Sequence, residues 1–239
     1  MEPVDLLFFG AHPDDLELSC GGTIAKAAKD GLRVGMIDLT RGEMGTRGTP
    51  AIRKREAKSS ARILGARFRD QLDLGDGGLR TGRDEEMQIV EIIRTTRPRV
   101  VFTMWVEERH PDHARAGRLV TEASFYAGLR SLETGLPAHR PQAVAYYLQN
   151  YPLPPSFVVD VAAAWKTKMK AIAQFKSQFY DPKSKEPLTF ISDKKFIEMI
   201  EARGKHYGAL IGSEYGEAYV TRQPPKIENV IEAYEGREP

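Results

Sequence analysis

Four times in the first 132 residues, an apolar run of strand length gives way to a segment of helical period. Val4–Phe9, Val34–Leu39, Arg69–Leu74 and Val100–Trp105 read as strands. Thr23–Lys29, Ile52–Leu64, Glu85–Thr96 and His113–Leu129 read as helices. Glycine and proline punctuate them: Gly21-Gly22 opens the first helix, Gly65 stops the second and Pro98 ends the third. Strict alternation of this kind predicts an α/β fold, a Rossmann-like and mostly parallel sheet with helices on both faces and right-handed crossovers. After about Leu132 the order changes. Ala143–Gln149 and Phe157–Val161 read as short strands, Ala162–Phe179 and Phe196–Tyr207 as helices, and "YDPKSKEPLTFISD" as a polar loop. The expectation is a single domain over 1–239, with an α/β core (1–132) and a C-terminal strand/helix extension (133–239).

Several function classes fall away on composition. A net charge of +2 with no Lys/Arg block gives no footprint for nucleic acid. No run of 18 apolar residues offers a membrane span. Glu2 and Asp5 stand where a secretory signal would need basic residues, so a cytoplasmic location is expected. Cys20 is the single cysteine, which excludes an internal disulfide and a thiolate zinc finger.

Ligands of open α/β sheets bind beyond the carboxyl ends of the strands. Two polar clusters fall there: "HPDD" (His12–Asp15) after the first strand, and "RHPDH" (Arg109–His113) after the fourth. Each alone has a plain structural reading. "HPDD" could cap a helix, and Asp112 is a good N-cap for the helix that follows it. Their coincidence after two buried strands of one sheet favours a metal site. Together they offer imidazole and carboxylate ligands that suit zinc with three protein ligands and an open position. His12 and Asp15, three apart, can converge on one point, leaving Asp14 beside it as a general base. His110 and His113 have the same spacing, so one can ligate while the other faces a substrate. A dinucleotide site is disfavoured, because "GAHPDD" is no G-x-G-x-x-G and its aspartates would repel a pyrophosphate.

"AHPDD" near the N-terminus with "HPDH" near residue 110 resembles the LmbE-like, or PIG-L, family of zinc-dependent N-acetylglucosamine deacetylases. "GTIAKAAKDG", "DLTRGEMGTRGT", "IRKREAKSSARILGA" and "DGGL" resemble its bacillithiol-biosynthesis branch, whose members deacetylate N-acetyl-α-D-glucosaminyl L-malate. The resemblance implies that His12, Asp15 and His113 hold the zinc and that Asp14 is the base. It implies a protonated His110 that stabilises the oxyanion or protonates the amine, tuned by Asp112. Arg53 matches a substrate-contacting arginine. Phe196 stands where some relatives carry a tyrosine, and a homo-oligomer is expected.

Malate would bring two carboxylates, which arginine forks suit. Arg41, Arg47, Arg53 and Arg109 lie in or beside the site loops, with Arg53 and Arg109 the preferred pair and ordinary solvated surface the competing reading. Glu43 and Met44 could contact sugar or form a lid. Alternatives are another acetylated glycoside (a mycothiol precursor, a chitooligosaccharide or a glycosylated antibiotic), another divalent metal, or a sugar- or nucleotide-binding module with a vestigial site. Cys20 reads as a small buried residue.

Overall fold

A computed structural model describes residues 1–235. Its single sheet has seven strands in the order β3-β2-β1-β4-β5-β7-β6. They are β1 (Leu6–Gly10), β2 (Val34–Asp38), β3 (Phe68–Gln71), β4 (Val100–Met104), β5 (Ala143–Tyr147), β6 (Phe157–Asp160) and β7 (Gly216–Thr221). The first five are parallel to one another, while β7 runs antiparallel between β5 and β6. The α/β, mostly parallel expectation holds. The C-terminal extension continues the same sheet.

β1 is central and buried from Leu7 onward because helices cover both faces, which is why "LLFFG" is continuously apolar instead of alternating. Phe8 stacks on Phe102 of β4 with centroids 4.2 Å apart. Burying such a side chain contributes roughly 1.5–3 kcal/mol. Helices α1 (Asp15–Lys29) and α2 (Pro50–Leu64) lie against each other and against α5 (Trp165–Ile172). α3 (Arg83–Thr96) packs on α4 (Pro111–Ala127), and α6 (Lys194–Ala209) packs on β7. Local chemistry sets the ends of α2: Thr49 accepts from Ile52 N at 3.3 Å, Pro50 starts the first turn, and Gly65 caps in the left-handed region.

Three expectations need correction. α1 begins at Asp15, eight residues before Thr23. Gly21-Gly22 is therefore inside the helix, where a Cβ on Gly22 would come within 2.7 Å of Val161. A polar joint also sits there. Leu18 O accepts from Lys168 Nζ (3.1 Å) and Arg203 (2.7 Å), while Gly22 N and Thr23 N donate to Glu217 at 2.9 and 2.7 Å. The Glu217 carboxylate thus serves the second half of α1 as an N-terminal anion would. The second correction is β7, absent from the sequence reading. Its "GEAYVT" hides a buried glutamate, so it does not alternate cleanly. The expected long helix 162–179 is a 3-10 turn, the eight-residue α5 and a series of turns.

The topology brings the two motifs together. The chain steps outward from β1 to β2 and β3, then returns to lay β4 on the other side of β1. The loops after β1 and β4 therefore diverge at the sheet's switch point, the crevice where open α/β sheets bind ligands.

Candidate active site

A cavity of about 470 Å³ opens at this switch point, large enough for a glycoside rather than an acetate ion alone. His12, Asp14, Asp15, His110 and His113 all line it. The His12, His110 and His113 rings cluster with centroids 4.8–5.3 Å apart.

Asp15 starts α1, where the helix N-terminus favours an anion. Its Oδ2 accepts from His12 N at 2.8 Å, and its Oδ1 stands 3.3 Å from His113 Nε2. Burial works against its charge, but the two histidines hold the carboxyl well below the usual range. His12 is pressed the other way by burial, and the Asp112, Asp15 and Asp76 carboxylates raise it well above an ordinary imidazole. Donor atoms of His12, Asp15 and His113 lie within 4.8 Å of one another, and all three residues are buried. Among the described residues His113 Nδ1 is buried without a partner. Two imidazoles and a carboxylate converging in a cleft fit a divalent metal with an open position.

Asp14 is held differently. Its φ of 132° is outside the usual range for an L-residue, strain of the kind stored at functional sites. The bend turns its carboxylate toward Arg53, whose NH2 donates to Oδ2 at 3.0 Å. Burial pushes Asp14 up to about 7, against the pull of Arg53. Arg53 also donates to Pro13 O (2.7 Å) and Gly42 O (3.0 Å). Gly42 permits this: it has φ +66°, and a Cβ there would sit 2.0 Å from Arg53 NH1. Arg53, expected to contact substrate, lines the cavity and braces Asp14.

His110 caps α4, its Nδ1 accepting from Asp112 N at 3.2 Å. That leaves the ring proton on Nε2. Burial and the neighbouring His12 and His113 lower its pKa. A carboxylate oxygen of Asp112 lies within 4.8 Å of a His110 ring nitrogen, and its charge opposes that lowering. The Asp112 carboxylate also accepts from Gly77 N (2.7 Å) and Leu79 N (3.0 Å) and lies 3.4 Å from His12 Nε2, so it anchors the turn after β3 as well. Glu43 accepts from Asp76 N at 2.9 Å and from Arg41 N at 3.1 Å, which ties its loop to the same turn. Met44 is 71% exposed at the cavity rim. Arg109 reaches the cavity with its guanidinium 5.7 Å from the Phe190 ring. Phe196 is part of the wall and stacks on Phe179. No tyrosine lines the cavity among the described residues.

Two residues escaped the sequence reading. Asp76 Oδ1 lies 3.0 Å from His12 Nε2, and Gln149 Nε2 donates to Asp15 Oδ1 at 3.1 Å. Both stand just past the carboxyl ends of predicted strands, Asp76 in the "GDGG" turn and Gln149 at the end of "AVAYYLQ". That position was the available signal.

The GlcNAc-PI de-N-acetylase (PIG-L) family matches residues 7–124. The diacetylchitobiose deacetylase of Thermococcus kodakarensis is 38% identical over 183 residues, 70% of this chain and 67% of that protein. The chain belongs to the PIG-L family. The 1D-myo-inositol 2-acetamido-2-deoxy-alpha-D-glucopyranoside deacetylase of Actinosynnema mirum is 32% identical over 155 residues, 51% of this chain, which spans 55% of that relative. The crystal structure of the conserved protein TT1542 from Thermus thermophilus superimposes with a TM-score of 0.85 at 38% identity, over 95% of this chain and 98% of that one. As a PIG-L member the protein is an amide-hydrolysing enzyme. The two deacetylases bear the names of chitobiose and inositol glycosides rather than of a malate glycoside, so the bacillithiol branch rests on sequence resemblance. Among the described residues no helix is long and apolar enough to cross a membrane.

Proposed function

We propose that the protein removes the acetyl group of an N-acetylglucosaminide, with N-acetyl-α-D-glucosaminyl L-malate as first candidate substrate. The observation that carries the reading is the convergence of His12, Asp15 and His113 in a glycoside-sized cavity with Asp14 beside them. These three residues would hold the metal, with zinc the proposed ion. Bound zinc supplies a Lewis acid that polarises the acetyl carbonyl and lowers the pKa of bound water to ~7.

The chain's own groups move the protons. Asp14, its Oδ2 fixed by Arg53, receives a proton from the attacking water on Oδ1 as the C–O bond forms. His110 donates a hydrogen bond from Nε2 to the carbonyl oxygen as negative charge develops there. Asp14 then returns its proton to the sugar nitrogen as the C–N bond breaks, and acetate and the free amine leave. Positioned acid–base help of this kind is worth about 10²–10⁴-fold. With Phe196 in the wall, a tyrosine hydroxyl plays no part in this scheme, and His110 carries the oxyanion role.

A second reading, hydrolysis of diacetylchitobiose, is favoured by the 38%-identical relative of that name. Acetate release by zinc-loaded protein, measured on the malate glycoside, diacetylchitobiose and free N-acetylglucosamine, tests both. Preference for the first supports the malate reading and preference for the second replaces it. Activity on none of them, with metal bound, overturns the proposal.

A further inference from the structure

Most of the arginines near the site have their charge answered. Arg41 pairs with Asp73 at 3.1 Å and Arg53 with Asp14. Arg69 lies between Glu17 and Asp38. Farther off, the buried Arg94 donates to a ring of carbonyls that includes Ala127 O and Leu129 O. Arg47 differs. It lines the catalytic cavity, yet it is only 3% exposed. Among the described residues its side chain has one hydrogen bond, NH2 to the neutral Ser184 Oγ at 2.6 Å, and no carboxylate pairs with it. Among the described residues its Nε is buried without a partner, as is that of Arg53, so the missing carboxylate is what sets Arg47 apart. The backbone there is fixed independently, since Arg47 O accepts from Gln178 Nε2 at 2.7 Å.

A guanidinium kept out of water with no counter-charge is costly, and the cost is recovered when an anion arrives. The planar fork matches a carboxylate. Arg109 lines the same cavity, is exposed, and likewise has no carboxylate partner among the described residues. The cavity therefore holds one buried and one rim cation in excess of its internal pairs. We infer that Arg47 is the receptor for a carboxylate on the aglycone of the substrate, with Arg109 as the outer cation. This rests on the deacetylase reading and narrows it: the enzyme selects glycosides whose aglycone is acidic. It also reverses the order expected from the sequence, in which Arg53 stood ahead of Arg47.

The test compares N-acetylglucosaminyl malate with methyl N-acetylglucosaminide, which differ in the anionic aglycone. For the metal-loaded full chain, the quantity read is the ratio of kcat/KM on the acidic to that on the neutral glycoside. General damage to the fold cancels in that ratio. Arg47→Met is expected to lower it on the order of 30-fold or more, the loss seen when one member of a buried charge pair is removed. Arg47→Lys keeps a charge beside Ser184 but loses the fork, and serves as the second variant with a smaller fall. Calorimetric binding of both glycosides to Asp14→Asn protein, with and without Arg47→Met, reads the same preference without turnover. A kinetic ratio unmoved within about twofold, the scatter of independent substitutions, overturns Arg47 and leaves the deacetylase standing. A binding ratio that falls with Arg47→Met, while metal-loaded protein retaining Asp14 releases no acetate from either glycoside, overturns the deacetylase and leaves Arg47 standing. Equal binding of the two glycosides by protein retaining Arg47 overturns the inference outright.

Discussion

Beneath the cavity, Arg69 joins two buried carboxylates. Its Nε and NH2 form a fork on Asp38 at 2.8 and 2.7 Å, and its NH1 and NH2 reach Glu17, which also accepts from Ser60. The side chains of Arg69, Glu17 and Asp38 are each 2% exposed or less. Arg69→Met keeps the stem and removes the charge, leaving two acids buried together. Breaking a buried pair on one side costs about 3–5 kcal/mol. At about 2–4 °C per kcal/mol for a chain of this size, Tm should fall by roughly 6–20 °C. The loss should also depend on pH. Burial already raises Asp38 above an ordinary carboxyl, with Arg69 opposing, and without Arg69 it rises further. A carboxyl with a raised folded pKa keeps in the native state a proton that the unfolded chain has released. Stability then declines as pH climbs from the unfolded value of about 3.9 through the folded one. The gap between wild type and variant should therefore be smaller at pH 5 than at pH 8. Urea unfolding followed by circular dichroism at the two pH values measures it. A deficit below about 1 kcal/mol at pH 8, or one independent of pH, would refute a buried ionic tie.

Replacing Asp14 by Asn should lower kcat by about 10²–10⁴-fold at unchanged metal content, read by acetate release and elemental analysis; near-normal turnover removes Asp14 as the base. Gln149→Leu frees Asp15 Oδ1 from its amide donor, and should weaken metal binding by about 10–100-fold in a chelator competition. Gly42→Ala places a Cβ on Arg53 at a positive φ. It should cost about 1–2 kcal/mol, lower Tm by several degrees, and cut kcat further than that loss explains, because Asp14 loses its brace. Cys20 is fully buried, and burial raises its thiol pKa. A thiol reagent should label it at the rate of unfolding, and fast labelling of native protein would show the site open.

The sheet was legible because a parallel sheet covered on both faces leaves a strong trace: unbroken apolar runs such as "LLFF" and "VVF", each followed by a helix. The two motif loops were legible because each sets histidine and aspartate just beyond the carboxyl end of such a run, where open sheets bind ligands. What remained hidden depends on direction in space. Nothing in "HPDD" says that Asp14 has φ 132° and faces Arg53, or that Asp112 caps a turn 33–35 residues earlier in the chain. β7 was hidden because Glu217, a buried acid, occupies an inward position that a sequence pattern assigns to an apolar residue. Arg47 was named among four candidate arginines but ranked behind Arg53 and Arg109, because among 35 basic residues the ones that lack a partner are visible only when all the partners are in place.

The first turn of α1 and its cap carry three carboxylates, and their fates explain why this helix end can serve chemistry. Asp15 faces the histidines, Asp14 faces Arg53, and Glu17 faces Arg69 and Ser60. All three sit near the positive end of the helix dipole, which helps to offset their mutual repulsion. Each is then steered into a different environment by its angular position, since neighbours along a helix do not share a face. The result is one carboxylate fixed between imidazoles, one left in the cavity with a single brace, and one spent on structure. Exchanging two of these environments would keep the composition of "PDDLE" and remove the site, so the partners Arg53, Arg69 and His113 define it as much as the acids do.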